Sequence, residues 1–417
     1  MSSILSLRGR EILDSRGIPT IEAEIRTPDG IFHAAVPSGT SSGSHEALEL
    51  RDEDKSRHNG KGVLKAVSNL NKLIAPALIK KDTARQKELD ELMKKLDGTQ
   101  NKSKLGANAI LAASIAICKA GAAAKKLPLY RHIAQLAGNS KLSMPIPLVL
   151  VIEGGKHAAN STDMQEFMVV PHKAGSFREA IKQGSEIYNA VREILKKEKY
   201  SIKTGLEGAF GPALGSNEKA LQIILQGIKN AGYRPHKQIK IAIDAAASEF
   251  HKNGDYALSI EDETLTAKQL ILMYASLAKT YPIGSIEDGL SEDDWGGWKT
   301  LTRKLKNKMQ LVGDDLTVTN VKRIEKAIKE KIISAVLIKP NQIGTVSETI
   351  DAIILCKKNG LKTIISHRSV ETEDAFIADL AVGTSAGKCK FGAPYQAERK
   401  AKYDRLLKIE QELGTIK

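Results

Sequence analysis

Four short apolar runs in the C-terminal half of the chain each stop at a charged residue: Ile239 to Ile243 at Asp244, Ile283 to Ile286 at Glu287, Gln310 to Gly313 at Asp314, and Ala335 to Ile338 at Lys339. Runs of this length, separated by amphipathic stretches, read as parallel strands buried on both faces. When such strands close into a (β/α)8 barrel, their C-terminal ends converge on one mouth, where barrel enzymes keep their chemistry. The pattern therefore predicts three carboxylates and a lysine in one place.

At 417 residues the chain exceeds a single typical core, which predicts two domains. The strongest cluster of helix and strand breakers is Ala137-Gly138-Asn139-Ser140 followed by Met144-Pro145-Ile146-Pro147. It sets an expected smaller α+β domain at 1–138 and a barrel domain at 139–417. In the first, Ile21, Ala23 and Ile25 alternate with Glu22, Glu24 and Arg26; a turn at Pro28-Asp29-Gly30 and a return strand Ile31 to Val36 complete an antiparallel meander. Helical spacing then takes over, with Val63, Ala66, Val67 and Leu70 on one face and Ile110, Ala113, Ile117, Ala120 and Ala124 on another.

A net charge of +14 raises the possibility of nucleic-acid binding, but basic residues are spread over many segments among acids, as on solvated helix faces. Aromatics at 4% also argue against base-stacking platforms. No apolar run reaches the roughly 20 residues of a membrane span. Met1 to Arg8 lacks the pattern of a secretory leader, and Cys118, Cys356 and Cys389 are odd in number and widely spaced, so a reducing, cytoplasmic setting is expected.

Asp244, Glu287 and Asp314 are hard oxygen ligands with no Cys or His pair nearby in sequence, a set suited to Mg2+ rather than zinc or copper. Each alone could cap a helix. Three at successive strand ends would repel one another in one mouth without a cation. Lys339, at the end of an apolar run, reads as a base whose amine is lowered by burial and a neighbouring cation, or else as a salt-bridged barrel lysine. His367-Arg368-Ser369 and Lys390 make the opposite side of the mouth cationic, as a small polyanion requires. Ser38 to Ser44, Gly154-Gly155-Lys156-His157 and Gly205-Leu206-Glu207-Gly208-Ala209 read either as mobile covers carrying titratable groups or as ordinary connections.

The order of these segments resembles the enolase family over essentially the whole chain. The resemblance is carried by Glu11 to Gly17, Glu46 to Asp52, Gly106 to Leu111, Met164 to Phe167, Ser285 to Asp288, Gly313 to Asn320, Asn341 to Gly344 and Ser366 to Ser369. It implies an enolase-type barrel and Mg2+-dependent dehydration of 2-phosphoglycerate to phosphoenolpyruvate, with two ions per site. By that resemblance Asp244, Glu287 and Asp314 would hold the first ion and Ser41 would help hold a second. Lys339 would be the base, Glu207 the acid and Glu166 their support. Arg368 and Ser369 would meet the phosphate, Lys390 the carboxylate, and His157 and His367 the closing site. A homodimer is implied as well, and plasminogen capture through Lys417 is a subordinate reading.

Some positions depart from the family pattern. Leu206 replaces a carboxylate beside Glu207, Ala209 replaces a glycine, Glu153 stands for Asn ahead of Gly154-Gly155, and Ala159 replaces a glycine. Glu153 is expected to add negative charge near a cover. These changes motivate an alternative reading, a catalytically impaired paralogue with a binding or structural role.

Overall fold

The computed structural model describes residues 2–40 and 43–414. Strands β1 (Ser6–Leu13), β2 (Pro19–Thr27) and β3 (Gly30–Ala35) form the expected antiparallel meander in the order β1-β2-β3. Ile21, Ala23 and Ile25 are fully buried on its inner face. The helix Ala107–Ala124 covers β2 and β3. Its alanines let backbones approach closely. By length and composition it could cross a membrane, but 83% of it is buried, which makes it a core helix.

The rest closes into a barrel from β4 (Ile146–Glu153), β5 (Glu166–Val170), β6 (Lys240–Asp244), β10 (Ile283–Glu287), β11 (Gln310–Gly313), β12 (Ala335–Ile338), β13 (Lys362–Ser366) and β14 (Lys388–Lys390). Between β6 and β10 the chain makes a small excursion, β7 (His251–Lys252), β8 (Asp255–Leu258) and β9 (Glu263–Leu265). The four apolar runs read in the sequence are β6, β10, β11 and β12, each ending beside its charged residue. Outer helices start on side chains that accept a backbone N–H, among them Ser176, Ser216, Asn320 and Thr345, and Thr266 forms a reciprocal capping box with Gln269. Each such cap contributes about 1 kcal/mol.

One strand departs from a uniformly parallel barrel. β5 runs antiparallel to both β4 and β6, while the other neighbouring pairs are parallel. Its first residue, Glu166, therefore lies at the mouth where the other strands end.

Candidate active site

Strand register sets carboxylates side by side across the mouth. Glu153 pairs with Glu166, Glu166 with Asp244, and Asp244 with Glu287. Asp314 follows β11, Lys339 follows β12, His367 follows β13, and Lys390 closes β14. All are places where a strand's hydrogen bonding ends and its side chain is free to turn inward. One cavity is lined by His157, Glu166, Glu207, Lys339, Arg368 and Lys390, with Asp244, His367 and Ser369 also on its wall. Its volume of about 10 Å³ holds about one water. A wider groove of about 600 Å³ beside Arg85 and Lys95 has none of these groups.

The two lysines are engaged by the chain's own acids. Lys390 Nζ lies 2.9 Å from Asp244, 2.7 Å from Glu287 and 3.0 Å from Glu166. Lys339 Nζ donates to Asp314 Oδ2 at 2.5 Å, and Asp314 Oδ1 accepts from Gln342 Nε2 at 2.9 Å. Thr319 Oγ1 accepts from the Lys339 backbone N–H and donates to Gln342, fixing that corner. Asp244 and Glu287 thus meet on Lys390, while Asp314 meets Lys339. Asp288, whose oxygens accept the N–H groups of Asp314 and Asp315, adds a further acid beneath them.

The pKa directions follow from this crowding. Burial first, then Asp244, pushes Glu287 well above the ordinary carboxylate range. Asp288 and Asp315 are raised too, by burial and then by Asp314. For Asp314 burial also raises, but Lys339 and Lys390 outweigh it and the net shift is downward. The mouth therefore has more acid than its two lysines neutralise. Its donors are hard oxygens, and both facts fit a divalent cation such as Mg2+. The expectation for Lys339 needs correction. Burial, Arg368 and Lys390 do depress its amine, but Asp314 prevails and the net shift is upward.

Beside this corner is an acid pair. His157 Nδ1 lies 3.6 Å from Glu166 and 3.7 Å from Glu207, so it stands between them. Burial and then Glu207 raise Glu166 well above its usual range. Burial raises Glu207 as well, but His367 and His157 outweigh it and hold it low. Of the two, Glu166 is thus the one that keeps a proton more readily. His367 Nε2 lies 3.0 Å from Glu207, and its Nδ1 takes a hydrogen bond from Arg399 at 2.7 Å. A guanidinium can only donate, so Nδ1 is the acceptor and Nε2 carries the proton. Burial and then Arg399, against the opposing pull of Glu207, bring His367 down to about 3, so near pH 7 it lowers Glu207 as an Nε2–H neighbour at 3.0 Å and not as a full charge.

Glu153 also differs from its expectation. It is fully buried, and its oxygens accept the backbone N–H groups of Glu207 at 3.1 Å and Ala209 at 2.9 Å. Burial, then Glu207, pushes it up to about 8, so near pH 7 it is mainly neutral and adds little negative charge. It fixes the loop that carries Glu207. Leu206 is half-buried and Ala159 exposed, and neither lines the cavity.

The N-terminal loop closes the corner at Arg368 and Ser369. Arg368 bonds Glu46 at 2.7 and 3.1 Å, and Ser369 Oγ accepts from Thr40 N at 2.9 Å. Gly39 passes so near that a Cβ there would sit 1.9 Å from Arg368 Nη2. Arg399, fully buried, donates to the carbonyls of Arg368 and Ser369 at 2.6 Å each. Ser41 and Lys417 lie outside the described residues. Glu46, Arg399 and Asp288 were not singled out as site residues from the sequence. Arg399 sits in the charged helix Ala397–Glu412 and gives no local signal, whereas Asp288 directly follows Glu287 and could have been suspected.

The fold and this acid-rich mouth define an α/β barrel protein capped by a smaller α+β unit. Residues 141–417 match the family model described as enolase, C-terminal TIM barrel domain, and residues 4–133 match enolase, N-terminal domain. The chain belongs to the enolase family.

Proposed function

We propose that this chain catalyses the Mg2+-dependent, reversible dehydration of 2-phospho-D-glycerate to phosphoenolpyruvate, with Lys339 as base and Glu207 as acid. The observation that carries this reading is that Lys339 and the Glu166–Glu207 pair line one cavity with Lys390, Arg368 and Ser369. Asp244, Glu287 and Asp314 would hold one Mg2+ and Ser41 would contribute to a second. When bound, the ions would stabilise the second negative charge that builds on the substrate carboxylate.

The chain's residues supply the proton movements. Lys339 must be neutral to take the C2 proton, and Asp314 is what keeps it charged. Once Asp314 has another partner, burial, Arg368 and Lys390 remain to depress the amine. The proton delivered to the departing C3 hydroxyl is stored on the Glu166–Glu207 pair, and water leaves. Arg368 exchanges Glu46 for phosphate, and Lys390 turns part of its charge to the substrate carboxylate. The cavity must widen to admit a three-carbon ester, and the loops bearing Gly39 and His157 are the parts that border it.

A coupled assay of phosphoenolpyruvate formation, with and without chelator, tests the reading; absence of Mg2+-dependent turnover would overturn it. One observation favours the alternative of an impaired paralogue: Glu207 is held low, the wrong direction for an acid. Tight binding of a substrate analogue without turnover would establish that alternative. The expected homodimer is testable by light scattering.

A further inference from the structure

Parallel winding has a consequence at the other end of the barrel. The segments that enter its strands there, or leave β5, are 137–145, 171–176, 231–239, 281–282, 306–309, 331–334, 359–361 and 384–387. None contains Asp or Glu, in a chain where those types make up 49 of 417 residues. Several carry cations instead: Lys173 after β5, Lys237 ahead of β6, and Lys306 and Lys308 ahead of β11, while β6 and β13 open on Lys240 and Lys362. All six are exposed, and among the described residues none forms an ion pair. Lys240 pairs in register with Val170, which sets it next to His172 and Lys173.

These charges feel one another. Burial, then Lys240, Lys173 and Lys388, lowers His172. Burial, then Lys240, brings Lys388 down to about 8. Acids on nearby helix ends are held by local partners and not by these lysines: Glu179 accepts from Gly175 N, Glu410 from Phe177 N and Arg178 N, Glu218 from Tyr281 OH, and Glu330 pairs with Lys299 at 3.1 Å.

We propose that this base of the barrel, whose strand-entry segments carry cations and no carboxylate, is a docking surface for an anionic lipid bilayer. The cations are distributed around the ring of strand entries, so a flat sheet of negative charge meets many at once, whereas a nucleic-acid duplex would cover only a strip. They are mostly lysines, which act as point charges without the guanidinium fork that reads phosphate or base edges. The aromatics in these segments, Tyr233 and Tyr281, are bonded to Glu186 and Glu218 and offer no stacking platform. Apolar side chains such as Ile239 and Met309 are buried, so attachment is electrostatic and does not need insertion.

The test is co-sedimentation of the full chain with phosphatidylcholine vesicles, alone or with about 30% phosphatidylserine, from about 0.05 to about 0.5 M salt. The expected result is binding only to the anionic vesicles, lost at high salt. K173E/K237E/K240E should weaken it about a hundredfold, at roughly one basic-residue increment per site. K55E/K65E/K72E, reversing exposed lysines of the N-terminal region, should leave it nearly unchanged, and circular dichroism checks that both variants fold. Equal binding to neutral vesicles, no binding at low salt, equal loss in both folded variants, or tighter retention on duplex RNA of equal phosphate content would each overturn the proposal.

Discussion

Lys388 and Lys390 are two residues apart on β14, on the same side of its pleat, yet their circumstances are opposed. Lys390 reaches Glu166, Asp244 and Glu287, and these acids overcome burial to raise its amine well above the usual range. Lys388 has only the neutral Gln310 side chain at 2.7 Å, and burial followed by Lys240 lowers it. The contrast extends to the two barrel ends: one gathers acids that hold cations, the other gathers cations on strand-entry segments that carry no acid. How firmly a lysine holds its proton here depends on which end of the strand it occupies.

The strongest challenge to this contrast compares bases at the two ends. Lys339→Ala should reduce turnover about 10²- to 10⁴-fold, the range for a positioned base, while Lys240→Ala leaves it unchanged. Steady-state kinetics that showed equal effects would break the assignment. Next comes stability. Lys390→Met strands buried acids and should cost about 3–5 kcal/mol, whereas Lys388→Met should cost less than about 1 kcal/mol or stabilise. Denaturant unfolding of both variants measures the difference.

Acid–base linkage sharpens the comparison further. Lys388 is depressed from 10.5 to about 8, so its penalty is full below pH 8 and is relieved as pH rises toward 10.5. Glu153 is raised from 4.5 to about 8, so its contribution is complete below 4.5 and is lost as pH rises through 8. Glu153→Gln keeps an acceptor for the Glu207 loop and should flatten the alkaline loss of activity attributable to that loop. An unchanged alkaline limb in the pH profile would remove this role. The smallest effect is expected from Leu206→Asp, about twofold or less in rate, because that side chain does not line the cavity. A large rescue would return weight to an impaired enzyme.

The barrel was legible because parallel strands buried on both sides leave unmistakable apolar runs, and their termini named Asp244, Glu287, Asp314 and Lys339. The direction of β5 was not legible, since Glu-Phe-Met-Val-Val reads alike in either orientation. Lys339's upward shift was only one of two readings because sequence shows burial but not the closeness of Asp314. Arg399 was hidden among the charges of a helix whose solvent face looks the same as its buried one. The basic end escaped notice for a topological reason: its lysines are scattered along the chain and adjoin only when the strands close.

The reversal of β5 turns β4 and β5 into a hairpin, and its turn, 154–165, brings His157 over the acid pair. Its base is pinned by hydrogen bonds from Gly154 N to Gln165 O at 2.9 Å and Gly155 N to Thr162 O at 2.8 Å. The turn is also tied to its surroundings: Met164 N donates at 2.8 Å to Oδ1 of Asn217, which opens the outer helix Asn217–Asn230, and Leu206 N donates at 3.3 Å to His157 O. Displacing the turn would therefore loosen the start of that helix and the Glu207 loop together.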